Sequence, residues 1–184
     1  AHAFNQPIGI WNVSSVTDMS GMFRDTRAFN QPIGNWNTSS VTHMINMFNT
    51  AHAFNQPLWN WHVSSVTHMA GMFSQAISFN QPIGDWDVSS VENMNSMFAF
   101  AVVFNQPLNT WNVSSVVNMD NMFNHACSFN QPLNNWDVKQ VRTMNDMFWN
   151  AKAFDQSLEN WVVTPTNMFD NPYVFRITPL MRFI

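Results

Sequence analysis

The sequence predicts an α/β solenoid of about seven 25-residue coils, each a short parallel strand followed by a short helix. Three observations carry that expectation. Phe stands at 4, 29, 54, 79, 104, 129 and 154, and Trp at 11, 36, 61, 86, 111, 136 and 161, with no insertion anywhere in the register. A second Phe, at 23, 48, 73, 98, 123 and 148, directly follows a Met that is itself three residues after another Met. Gln recurs in every unit from Gln6 to Gln156, preceded by Asn in six units and by Asp155 in the last. A fixed period of roughly 20–50 residues marks a chain whose units bury their apolar faces only against one another. We therefore assign residues 1–169 to one repeat array, with coils starting near 4, 29, 54, 79, 104, 129 and 154, and residues 170–184 to a C-terminal cap.

Within a coil, the elements follow from spacing. Trp36 and Thr38 alternate with polar neighbours at 35 and 37, the pattern of a short strand with one buried side. Pro32 and Gly34 keep that strand from extending backward. Val41, Met44, Met47, Phe48 and Ala51 are spaced by 3, 3, 1 and 3 residues, which predicts one face of a helix of two to three turns. Ser39 and Ser40 stand where a hydroxyl can cap its first N–H groups. The Asn and Gln after each first Phe are expected to bond up and down a ladder from coil to coil and to satisfy buried turn backbone. In the seventh coil the interval from Trp161 to Met168 and Phe169 is shortened and Pro165 falls where a helix would start, so the repeat is being closed. The apolar residues after 170 suit a cap. The first coil, with Phe4, Trp11 and Phe23, is expected to be an open end covered by further repeats or by another molecule.

Composition narrows the function. Charged residues make up 10% of the chain, the net charge is −4, and no Asp, Glu, Lys or Arg occurs between Ala28 and Gly84. No cationic stripe exists for a phosphate backbone, which argues against nucleic acid. The single Cys127 rules out an intramolecular disulfide framework, and the longest apolar run, residues 97–104, is far too short to span a bilayer. No Ser/His/Asp set, phosphate loop or Cys pair is present, so neither an enzyme nor a cofactor is expected.

The run FNQPIGNWNTSSVTHMINMFNTA, residues 29–51, resembles the 25-residue repeats of the BspA-like, leucine-rich-repeat-related surface proteins, including the mycoplasma-type lipoprotein repeat domain of unknown function. The resemblance rests on the F-N-Q-P, W-N-V-S-S-V and M-x-x-M-F blocks occurring in order over about residues 1–169. Lys139 and Gln140, in place of the Ser pair, depart from it. It implies a leucine-rich-repeat-like fold, an extracellular or cell-surface setting, and adhesive or protein-interaction roles without catalysis. In such relatives the exposed sheet face often carries the binding site, so the residues flanking each Trp become candidates: Asn35, Asn37, Asn60, His62, Asp85, Asp87, Asn112 and Asp137.

Trp59, Phe100 and Trp149 are aromatics outside the repeat positions and are candidate contacts for a protein or a sugar ring. Asn12, Asn37 and Asn112 begin N-x-S sequons and could carry glycans, although Asp87 and Asp137 at the same position suggest a turn role instead. Asp85, Asp87 and Asp137 make a weak Ca²⁺ site conceivable, and the equivalently placed His43 and His68 should lie near each other, but no metal is expected. The reading is a non-enzymatic interaction scaffold. Its alternatives are a carbohydrate-binding module and a structural subunit of a fibre or larger assembly.

Overall fold

A computed structural model describes residues 2–163 and, at the backbone only, 181–183. Equivalent residues of successive units face one another: isolated parallel bridges join Asp18, His43, His68, Asn93, Asn118 and Thr143 in a single line. Between bridges the chain is a succession of tight turns, each closed by an N–H donating to the carbonyl three residues back. In the first coil these bonds run from Trp11 to Ile8, Val16 to Val13, Met22 to Met19, Arg24 to Gly21, Thr26 to Phe23 and Phe29 to Thr26.

The α/β expectation is overturned, because there is no helix among the described residues. In the segment expected to be helical, the N–H groups of Met44, Asn46, Phe48 and Thr50 donate to the carbonyls of His68, Ala70, Met72 and Ser74 in the next coil, at 2.8–3.0 Å. Those of Met47, Asn49 and Ala51 donate back to Met44, Asn46 and Phe48. An α-helix would turn all of these donors inward, leaving none for a neighbour. The backbone is left-handed at Asn46 (φ 55°) and Thr50 (φ 61°), the third positions of the turns 44–47 and 48–51, which is the arrangement of a type II turn. Left-handed residues at that interval cannot propagate a right-handed helix. The three-residue spacing of the apolar side chains is therefore the step of linked turns rather than the pitch of a helix.

The expected strand is displaced as well. Residues 36–38 make no backbone bond to another coil; the coils meet there through side chains. The repeat indoles of Trp36, Trp61, Trp86, Trp111, Trp136 and Trp161 each donate the Nε1–H to a carbonyl of the preceding coil, that of Ile8, Ile33, Leu58, Ile83, Leu108 or Leu133, at 2.9–3.2 Å. Regular strands occur only late among the described residues. Strand β1, Leu158–Val163, pairs in parallel with β2, Met181–Phe183, through Leu158↔Met181, Val162↔Arg182 and Val163↔Phe183, with a register irregularity between Leu158 and Val162. The cap expected over 170–184 otherwise lies outside the described residues.

The interior is built of aromatic columns. The first Phe of each coil stacks on its counterpart at 5.7–6.1 Å, and the second Phe on its own at 5.4–5.8 Å. The two columns interlock, as in Phe48 against Phe54 at 4.1 Å. Each such ring pair contributes about 0.5–1.5 kcal/mol beyond its burial. Directly after the first Phe of each coil, Asn5 Oδ1 accepts the Asn30 backbone N–H (2.9 Å) and the Gln31 amide (3.0 Å), and Asn30, Asn55, Asn80, Asn105 and Asn130 repeat the arrangement. The amide ladder thus pairs backbone donors that have no ladder partner of their own.

Candidate functional site

With the apolar repeat positions consumed by packing, function falls to the variable outward ones. Two ladders flank the Trp column. The one after each Trp is held by turn chemistry: Asn12, Asn37, Asp87, Asn112 and Asp137 each accept, at Oδ1, the backbone N–H two residues on, at 3.1–3.2 Å. Asn and Asp exchange here because either oxygen serves. The turn survives the loss of the Ser pair at Lys139 since it uses only the backbone N–H. The three sequon residues, Asn12, Asn37 and Asn112, all sit exposed in such turns. Asp87 also accepts the Ser89 hydroxyl at 2.6 Å. That hydroxyl and then the Ser89 N–H hold its carboxyl below the usual carboxylate range. His62 occupies the same ladder, exposed.

The ladder before each Trp is looser and forms a groove. The turns at 9–10, 34–35 and 59–60 stack across three coils around a space of about 380 Å³. Its floor is Gly9, Gly34, Pro32 and Pro57, and its walls are Ile10 and Trp59, 96% and 57% exposed, with Asn35 and Asn60 beside them. Gly34 is needed for closeness: a Cβ there would stand 2.7 Å from the Pro57 carbonyl oxygen. The structure therefore brings together Asn35, Trp59 and Asn60 of the sequence candidates and adds Ile10 and the Gly/Pro floor. A signal for that floor was present in the Gly at 9, 34 and 84, interrupted by Trp59.

The remaining candidates lie apart. Asp85 is exposed on the same ladder beyond the groove. Asp137 borders a second open space of about 470 Å³ with Asn134, Asn135 and Asn160, and faces Lys139 Nζ at 3.6 Å. Phe100 adopts a left-handed backbone (φ 58°), is 43% exposed and stacks on His125 at 4.3 Å. Trp149 is half-buried and its carbonyl accepts the His125 N–H, so His125, missed in the sequence, lies between the two aromatic candidates. His43 and His68 stack at 5.1 Å, each ring bonded through Nδ1 to the preceding Thr hydroxyl. Asp85, Asp87 and Asp137 do not converge, and among the described residues no three His, Cys, Asp or Glu side chains are placed to hold a metal ion. No helix among those residues is long and apolar enough to cross a membrane.

Such a fold and surface define a repeat protein with an aromatic interior and a charge-poor, amide-rich exterior. The chain belongs to the family described as "Mycoplasma protein of unknown function, DUF285", which matches it twice, over residues 1–104 and 79–178. The two matches overlap over about one coil. No curated protein and no solved structure matches the chain significantly.

Proposed function

We propose that this chain is a non-enzymatic interaction module of the cell surface or extracellular space, holding a protein or carbohydrate partner against its variable outward ladders. The observation that carries the reading is the division of labour between positions. Phe and Trp repeat unchanged at the interior positions, whereas the outward position before each Trp runs Ile10, Asn35, Asn60, Asp85, Thr110, Asn135 and Asn160. A constant core under a varied face is how a repeat array presents a binding surface. The BspA-like resemblance supports the surface setting and the adhesive role. The test is adhesion of the purified chain to cells and to immobilised matrix proteins. Saturable binding, weakened by Asp85→Ala with Asp87→Ala or by Trp149→Ala at unchanged circular dichroism, is the expected result; no saturable binding to any surface would refute it.

A further inference from the structure

We propose that the groove across the first three coils is a subsite for a neutral carbohydrate, with a sugar ring laid on the Trp59 indole and its hydroxyls bonded by Asn35 and Asn60. The proposal rests on the reading of the chain as an interaction module and names the ligand class of one site on it. Trp59 has no structural task that would explain it: it stacks on no ring and makes no hydrogen bond among the described residues, and its position is Gly, Asn or Glu in the other coils. An exposed indole offers a flat apolar face beside a free N–H donor, which suits a ring that is apolar on its faces and polar at its edge. The Asn35 and Asn60 side chains are equally unengaged among the described residues, whereas the Thr110 hydroxyl further along donates to the Gly84 carbonyl and Asn109 Oδ1 accepts the Asn135 N–H. Each free amide presents both donor and acceptor, the combination a hydroxyl needs.

Charge and size choose the ligand. The second and third coils, which supply most of the groove, contain no Asp, Glu, Lys or Arg, and no histidine lines the groove, so no carboxylate, ammonium or guanidinium selects a charged ligand there. Two exposed apolar side chains fall far short of the roughly 800 Å² per partner that a stable protein interface buries. A groove of about 380 Å³ with a Gly/Pro floor accepts a narrow chain instead. The floor is also rigid, since Pro32 and Pro57 fix their own φ and the next coil's carbonyl backs each glycine.

Native affinity electrophoresis tests this, with the whole chain run through gels containing soluble mannan, β-glucan or galactan, and through alginate as a polyanionic control. Retardation by at least one neutral polysaccharide is expected. It should be lost in Trp59→Ala, partly kept in Trp59→Phe, and weakened severalfold in Asn35→Ala with Asn60→Ala. Near-ultraviolet circular dichroism checks that the Trp59 variants keep the aromatic stack. No retardation by any neutral polysaccharide, equal retardation of Trp59→Ala, or retardation by alginate alone would overturn the subsite. A chain that binds a matrix protein but no polysaccharide overturns the subsite and leaves the interaction module standing, whereas one that binds neither overturns both.

Discussion

At the residue scale, the most informative side chain is the repeated Trp. Trp86 is buried, and its Nε1–H reaches the Leu58 carbonyl of the preceding coil at 3.1 Å, a carbonyl that also accepts the Trp61 N–H. Trp86→Ala should destabilise the protein by about 3–5 kcal/mol, since it leaves a cavity between two coils. Trp86→Phe should cost only about 1–2 kcal/mol, because the lost indole bond leaves its acceptor still occupied. Denaturant titration distinguishes the two, and equal losses would mean that the indole bond rather than the volume matters. Outward residues should be nearly silent: Asn60→Ala or His62→Ala is expected to cost under about 0.5 kcal/mol. Asp87 adds a dependence on acid. Its folded value is lowered by Ser89, so the contribution is fully present above the ordinary carboxylate value of 3.8 and is lost as pH falls through the lower folded value. The melting-temperature gap between wild type and Asp87→Asn should therefore shrink on acidification below that range; a gap that widens would contradict the Ser89 contact.

At the scale of the element, the linked turns decide stability through backbone conformation. The left-handed column reads Gly21, Asn46, Gly71, Ser96, Asn121 and Asp146. A non-glycine residue held there costs roughly 1–2 kcal/mol, offset in part by the chain entropy that glycine loses on folding. Ser96→Gly should thus raise stability by up to about 1 kcal/mol. Gly71→Ala should lower it by about 1–2 kcal/mol or more, since a Cβ there also meets the Asn46 side-chain oxygen. Thermal melts of the pair settle the matter, and opposite signs are the expected result. The same column shows what was legible in the sequence. The period, the inward Phe, Trp and Met and the amide ladder could be read directly, because packing between identical units depends on side-chain identity alone. The helix was a misreading, because apolar residues at a spacing of three fit both a helix and linked turns. Gly, Asn, Ser and Asp recurring between the two Met carried the deciding information, as residues that tolerate a positive φ. The Trp59 groove was half legible: the intruding aromatic stood out, but its Gly/Pro floor becomes visible only once three coils are stacked.

At the scale of the whole molecule, each coil touches chiefly its two neighbours, so stability should be a sum of nearly equal steps. Deleting residues 79–103, one full period, should leave a folded protein with a modestly lower melting temperature, whereas deleting residues 79–90, half a period, should abolish cooperative melting. Far-ultraviolet circular dichroism of either folded chain should lack the double minimum of a helix, and its presence would refute the turn architecture. The backbone donors that leave each coil at Met44, Asn46, Phe48 and Thr50, like the indoles, all point along the stacking direction. A tensile load applied between the two ends would fall on these bonds a few at a time rather than shear a whole sheet at once. Coils should then yield singly, each releasing 25 residues, or about 80–90 Å of extended chain. If the chain holds a partner as proposed, that is a graded extension in which one unit gives way while the rest still hold.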